Sequence, residues 1–477
     1  MFRLSEVAKK KAHRWISENE PEIISVSDKI WKLAELGLQE FRSSALLAEQ
    51  LRKAGFNIEM GVAGMPTAFV ATWGSGNPAI GIMGEFDALA GLSQKAVPWK
   101  ESVEEGASGH GCGHNIHGTS GMAGAIAAKL AMEETGMNGT IKFFGTPAEE
   151  TAGGKVYMVR DGVFNGTDAV LSHHAGSMNT GGYSYTNAEN DAKFHFYGIA
   201  SHAAGSPEQG RSATDAVELM NVGVNYLREH VIQEARIHYV ITAGGEQPNV
   251  VPAYASSWYY IRAPEREQVE QIYNRVLQVA NGAAMMTETT LKVEFVGGLY
   301  NMLLNRTLND LIVSNMREIG TPEYTEDEKK FAKQISKTIK PDTKRDWLAK
   351  SKRPEWEKLI EVELDRTIPD TWERWMAGST DVSDVSWQVP TMEFTTATFV
   401  LGSPGHSWQN VAQGGMSIGH KSLIFAAKTM SSSVIDLISK PDLVKSAKEE
   451  FKEKLGGRTY RSPLPSEMKP ALEMWKK

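Results

Sequence analysis

AIGIMGEF (79–86), GTSGMAGAIAAKLAMEETG (118–136) and GTIKFFGTP (139–147) follow one another as an apolar run, a small-residue helical stretch and a second apolar run. Short continuous apolar runs mark strands buried on both faces, and a strand–helix–strand order joins such strands in parallel. TAFVATW (67–73) before them and DAVLSHHAG (168–176) after them extend the same sheet. Upstream, SVSDKIWKLAELGLQEF and SSALLAEQLRKAGF repeat apolar residues at a spacing near 3.6, with a stop at Gly55, so residues 4–56 are expected to be helical. The expected fold class is α/β, a mixed or parallel sheet flanked by helices.

The pattern changes near residue 188. DAKFHFYGIA is an alternating strand, RSATDAVELMNVGVNYLREHV a helix, RIHYVITAGG and SSWYYIRAP strands, EREQVEQIYNRVLQVANGAAMMT a helix and TLKVEFVGGLY a strand. That order, βαββαβ, is the split pattern of a ferredoxin-like α+β layer. It is expected as a domain over 188–300 inserted into the first, which resumes at 301–477 after its opening part, 1–187. Within the resumed part, residues 321–377 are dense in charge yet carry Trp347, Trp356, Trp372 and Trp375. A solvated helical insertion is one reading; a cap or subunit contact is the other, because tryptophans beside charge are common at interfaces.

Composition narrows the function. The 477 residues are 41% hydrophobic and 23% charged, an ordinary globular mix, which excludes a disordered or fibrous chain. Fifty-one basic against 58 acidic residues leave a net charge of −7, a poor match to nucleic acid. No apolar run is long enough to span a membrane, and MFRLSEVAKKKAHRW lacks the apolar centre of a signal peptide. With one cysteine, Cys112, no internal disulfide framework exists, and the cytoplasm is the expected compartment.

Four stretches carry residues fit for chemistry. GHGCGHNIHG (109–118) holds the sole cysteine and three of the 12 histidines. Thiolate and imidazole are ligands for borderline-soft divalent ions, and the glycines allow a turn that points Cys112 and His114 at one centre. The plain alternative is a glycine-rich turn with incidental histidines. GTPAEE (145–150) brings Glu149 and Glu150 together after a strand. Neighbouring carboxylates favour a cation, although acids in the first turn of a helix are an equally simple explanation. LSHHAG (171–176) ends a buried strand, with either His173 or His174 turned inward, and GSPGHSWQN (402–410) places His406 in a glycine–proline turn. Each alone is weak. Together they put thiol, imidazole and carboxylate at several strand ends, where one edge of a parallel sheet would gather them.

In their order, the CGH triplet, the further histidine, the Glu-Glu pair and the strand-end histidine resemble the aminoacylase-like branch of the M20 family of metallopeptidases and amidohydrolases. The likeness spans nearly the whole chain and is loose only in the insertion and the C-terminal tail. It implies a catalytic α/β domain with an inserted ferredoxin-like lid that makes a homodimer. It implies two divalent ions per subunit, Mn²⁺ or Zn²⁺ with Co²⁺ or Ni²⁺ also suited, held by Cys112, His114, Glu150, His174 and His406. Glu149 takes the role of general acid/base, and the resemblance selects His174 over His173. In GIASHAAGSP (198–207), His202 would reach a partner's site and steady the reacting carbonyl. In GEQPNVVP (245–252), Asn249 would contact substrate, and Arg262 on the next strand offers a two-pronged carboxylate clamp.

Two departures stand out. The family's Asp-x-Asp-Ala-Leu-Pro stretch reads GEFDALA (84–90), with Glu85 as first acid and Ala90 in place of proline. Asp87 is retained, either to orient a ligand or as an ordinary loop acid. GSTDVSDVSW (378–387) also departs, leaving Asp381 and Asp384 without an assigned role. The expected activity is hydrolysis of the amide of a small N-acyl or N-aroyl amino acid by metal-activated water with a glutamate base. The alternatives are a metallo-dipeptidase, or one subunit of a hetero-oligomeric hydrolase.

Overall fold

The computed structural model describes residues 2–475. The chain divides into two compact units, one built from the chain up to Ser184, Leu303–Trp375 and the chain from Asp384, the other from Tyr185–Met302 with Met376–Ser383.

The first unit is organised by a six-stranded sheet. Its strands are β1 (Asn57–Met60), β2 (Phe69–Ser75), β3 (Ala79–Gly84), β4 (Gly139–Gly145), β5 (Ala169–Gly176) and an edge strand Thr391–Ala397, in the order β1-β2-β4-β3-β5-edge. The first two pairings are antiparallel; β4, β3, β5 and the edge strand run parallel. Ile80, Ile82, Phe143, Phe144, Leu171 and Phe394 are fully buried, as strands covered on both faces require. The helix His114–Thr135 lies against the sheet and is buried nearly all round. Its small residues allow this: a Cβ on Gly124 would come within 2.8 Å of Met430 on the helix Ser417–Ser439, so the two helices approach at backbone distance.

The N-terminal region is helical as expected, except for a break inside SVSDKIWKLAELGLQEF. Helices occupy Phe2–Glu18, Glu20–Leu33 and Phe41–Lys53, with an irregular segment between the last two. Ala34 and Leu38 sit in the left-handed region (φ 41° and 64°), and Leu36 forms a bridge with Ala88. The break is stabilised by Glu35, whose carboxylate accepts from the Ser43 amide and hydroxyl at 2.8 Å each and so caps the helix that restarts. Apolar periodicity passes smoothly through this segment because Leu38 is buried in the loop as it would be in a helix.

In the second unit, strands Ala188–Tyr197, Arg236–Ala243, Tyr254–Ala263 and Thr290–Leu299 form an antiparallel sheet in spatial order fourth-first-third-second. Helices Ala213–Leu227 and Arg266–Thr287 cover one face. Phe194, Phe196, Tyr259 and Ile261 meet Val217, Met220, Val269 and Val276 in the core between them. This is the ferredoxin-like layer.

The charged insertion is neither loose nor solvated throughout. Trp347, Trp356 and Trp372 pack on a core of Met178, Leu348, Leu359 and Leu401 within the first unit, while Trp375 stays 40% exposed. A buried ion pair, the Arg353 guanidinium on the Asp365 carboxylate, ties the segment to itself, with Thr367 as a further partner. Among the described residues no helix is long and apolar enough to cross a membrane. Asp365→Ala leaves a buried guanidinium without its carboxylate and is expected to cost about 3–5 kcal/mol. Urea unfolding of the variant against the parent protein measures it.

Candidate metal centre

β4, β3, β5 and the edge strand point the same way, so the segments leaving their C-terminal ends collect along one side of the sheet. The turn that ends in Gly113, the Glu149–Glu150 turn after β4, His174 at the end of β5 and the loop carrying His406 all arise there. Gly113 is left-handed (φ 83°) and the helix begins at His114, one turn earlier than the small-residue stretch alone suggests.

Within this unit the donor atoms converge. The Cys112 Sγ lies 3.4 Å from His174 Nε2. His114 Nε2 is 3.9 Å from Glu150 Oε1, and His406 Nε2 is 3.4 Å from Glu150 Oε2. Donor atoms of Cys112, His114 and His174 lie within 4.8 Å of one another, as do those of Cys112, Glu150 and His406, and those of His114, Glu149 and Glu150. The first two sets share the Cys112 sulfur. His406 adopts φ 49°, uncommon for a residue with a side chain, a conformation that costs of order 1–3 kcal/mol and points to an over-determined site.

Electrostatics fit a cationic occupant. Burial pushes the Cys112 thiol well above its usual range, and the charge of Glu150 adds to it. Burial also raises Glu150 and lowers His174 to about 4. His114 Nε2 and Glu150 Oε1 are buried without a hydrogen bond, although Glu85 Oε2 stands 3.3 Å from that nitrogen, and a shared cation would satisfy both atoms. Thiolate, imidazole and carboxylate together form a donor set suited to Zn²⁺ or Mn²⁺.

Two of the candidate donors are held from behind. Asp87 Oδ1 lies 2.8 Å from His114 Nδ1, and its Oδ2 accepts from the Glu150 amide at 3.0 Å. One carboxylate therefore orients two donors, and His114 is left with Nε2 facing the cluster. Burial opposes charge on His114, but Asp87 and Glu85 prevail and hold its pKa well above the ordinary value. Glu85, His114 and His117 also come within 4.8 Å of one another. His117 is already committed: Nδ1 is 2.9 Å from Glu85 Oε2, and Nε2 accepts the Ala175 amide at 2.7 Å. His173 is committed too, between Ser120 Oγ at 3.0 Å and Thr396 Oγ1 at 2.7 Å.

Sequence reasoning passed over Lys155. Its ammonium is fully buried, 2.6 Å from Glu85 Oε1. Burial alone would raise the Glu85 carboxyl, but Lys155 and His114 hold it well below the usual range. A lysine within the apolar run KVYMV was the available signal, since a charge on a buried helix needs a partner.

The remaining expected residues lie in the second unit. His202 is exposed, and its Nδ1 accepts the amides of Ala204 and Gly205 at 3.2 and 2.9 Å, which puts the ring proton on Nε2. Asn249 is its neighbour: the Ala203 amide donates to the Asn249 carbonyl at 3.0 Å. Arg262 Nε lies 2.5 Å from Glu189 Oε2, so its guanidinium already faces an internal carboxylate. Asp381 falls in this unit, while Asp384 falls in the first and accepts from the Tyr460 hydroxyl at 2.8 Å.

Residues 81–413 match the model of peptidase family M20/M25/M40. The chain is 42% identical to one of the component chains of p-aminobenzoyl-glutamate hydrolase of Escherichia coli (strain K12), over 94% of this chain and 95% of that one. It is 28% identical to the Xaa-Arg dipeptidase of Mus musculus, over 94% and 93%. Among solved structures, it superposes on the Bacillus subtilis YXEP protein, a dinuclear metal binding peptidase from the M20 family, with a TM-score of 0.57. That likeness has 16% identity and covers 89% of this chain and 99% of that one, so it bears on the fold. On its sequence the chain belongs to peptidase family M20/M25/M40 and is a hydrolase of amide bonds.

Proposed function

We propose that the protein cleaves the amide of an N-aroyl or N-acyl amino acid, with an aroyl-glutamate as the substrate class. The observation that carries this reading is the convergence of Cys112, His114, Glu150, His174 and His406, with Glu149 beside them. The substrate class follows the 42% identical relative, whose name gives p-aminobenzoyl-glutamate. Cys112, His114, Glu150, His174 and His406 would hold two divalent ions per subunit, Mn²⁺ or Zn²⁺, with Co²⁺ or Ni²⁺ also suited. Bound there, such ions polarise a carbonyl and lower the pKa of water.

The chain's own residues supply the rest. Glu149 takes the proton from the attacking water and later hands it to the leaving nitrogen. His202, with its proton on Nε2, is the donor proposed for the developing oxyanion in a partner's site. Asn249 is proposed to contact substrate, and Arg262 to clamp its carboxylate while sharing the guanidinium with Glu189. A dipeptidase is the second reading, favoured by the Xaa-Arg dipeptidase relative. Turnover of aroyl-glutamates, acyl-amino acids and dipeptides in parallel, with added Mn²⁺ or Zn²⁺, separates the two. Cytoplasmic residence is proposed on the lone cysteine.

The assembly proposed is a homodimer through the ferredoxin-like layer. Its helix Ala213–Leu227 exposes Leu219, Val222 and Tyr226 at successive turns, and the edge strand Arg236–Ala243 exposes Val240 and Ile241. Such a stripe is the expected form of a helix face awaiting a partner. A different polypeptide is the competing partner, because the relative from Escherichia coli is named as one of the subunits of its hydrolase. Inert metal-loaded protein that gains activity on mixing with a homologous chain would favour it.

Three outcomes test these assignments. Glu149→Gln is expected to keep its metal content and lose at least ~10²-fold in kcat; steady-state kinetics with elemental analysis decides. Asp87→Ala is expected to weaken Mn²⁺ binding by about 10–100-fold, read by calorimetric titration. Val222→Glu combined with Tyr226→Glu is expected to turn a dimer into a monomer in light scattering, and an unchanged mass would move the interface elsewhere.

A further inference from the structure

Glu40 is a completely buried acid with no part in the mechanism above. Its Oε1 accepts the Ala148 amide at 2.9 Å and its Oε2 accepts the Thr67 hydroxyl at 3.0 Å. Ala148 immediately precedes the Glu149–Glu150 pair and is left-handed, with φ 59°. An alanine does not take that conformation unless its surroundings impose it. Two residues on, the Glu150 amide is gripped by Asp87 Oδ2 at 3.0 Å. Glu149 therefore sits between two amides, each held by a different buried carboxyl group.

The same segment meets the turn at a second point. Gly37, from the same irregular segment as Glu40, lies so near the turn that an added Cβ would fall 2.2 Å from Thr151 Oγ1 and 3.0 Å from Ala148 Cα. The segment between helices Glu20–Leu33 and Phe41–Lys53 thus serves as a mould for the turn, with Glu40 as its hydrogen-bonding contact.

We propose that Glu40 is a positioning residue for Glu149, holding the Ala148 amide so that the base carboxylate is aimed. Burial and the charge of Asp87 push its carboxyl up to about 8. An amide side chain keeps an oxygen that can accept from Ala148 and should replace it; a methyl group offers no acceptor and should not.

This inference rests on Glu149 acting as the base, so the experiment pairs activity with a readout that needs no substrate. Hydrogen exchange of the peptide spanning 146–152 is compared in the full-length protein, Glu40→Ala and Glu40→Gln, alongside kcat, KM and bound Mn²⁺. Glu40→Ala is expected to speed exchange at Ala148 and lower kcat by about 10- to 100-fold, the scale of a small misplacement of a catalytic group. KM and Mn²⁺ content should stay near those of the parent, and Glu40→Gln should restore most of kcat. Undiminished kcat in Glu40→Ala, or no recovery in Glu40→Gln, overturns the proposal. Should Glu40→Ala not fold, Gly37→Ala presses the same turn at its other contact with this segment, and parental kcat in that variant overturns the proposal as well. A parent protein inactive on every substrate would count against the hydrolytic reading instead, while the exchange rates would still report whether Glu40 holds the turn.

Discussion

Asp87 holds two separate parts of the candidate metal centre with one carboxylate. One oxygen meets the ring of His114 at the head of a helix; the other takes the amide of Glu150 in a turn after a strand. A buried charge is costly unless it is fully paired. Here pairing and positioning are the same contacts, so the arrangement that solvates Asp87 also sets the distance between two donors. Loss of either contact would leave both an unsatisfied acid and a displaced ligand. The rest of the sheet edge is built to keep that acid dry: Phe86 and Ala88 beside it in sequence are buried, and Ala88 is bonded to Glu35 across the irregular segment.

Glu85, two residues away, shows the same logic applied to a different end. Its carboxylate is shared by Lys155 and His117, and His117 in turn accepts the amide of Ala175, the residue after His174. The relay runs from a buried ammonium to the strand end that carries a donor. Lys155 settles the chemistry of this acid. With a full positive charge 2.6 Å from Oε1, Glu85 keeps Oε2 for His117 at 2.9 Å and His114 Nε2 at 3.3 Å. The ring of His117, used at both nitrogens, is likewise unavailable as a ligand. Four imidazoles and three acids lie close enough to compete for an ion, and hydrogen bonding commits some of them, His117 among them, elsewhere.

The alternation of apolar strands with helices, and the βαββαβ order of the second unit, were legible because each rests on local periodicity. The grouping of Cys112, His114, Glu150, His174 and His406 was legible for another reason: parallel strands deliver their C-terminal ends to one edge, so motifs far apart in sequence had a common destination. What sequence reading missed was long-range compensation of charge. Nothing local distinguishes Lys155 from a surface lysine except its apolar neighbours, and Glu40 in GLQEF reads as one more helical acid. The break at Ala34 was hidden for a related reason, since Leu38 is buried whether the segment is a helix or a loop.

The insertion is best understood from the loop it supports. Leu401 belongs to the cluster on which Trp347, Trp356 and Trp372 pack, and its amide donates to the Glu363 carbonyl at 2.8 Å. Gly402 follows with φ 86°, and a Cβ there would strike the Lys344 side chain at 2.8 Å. Val400 is bonded to Gln413 Oε1 at 2.6 Å, and Gln413 also reaches Ser403 Oγ at 3.1 Å. Residues 400–403 are therefore clamped on both sides, by the insertion and by the helix Trp408–Gly414. His406 lies three residues beyond that clamp in a left-handed conformation that an unrestrained loop would relax. Charge on the outside and tryptophan on the inside are then two sides of one device: the charged face keeps the segment in water, and the indoles hold down the loop that carries the candidate donor His406.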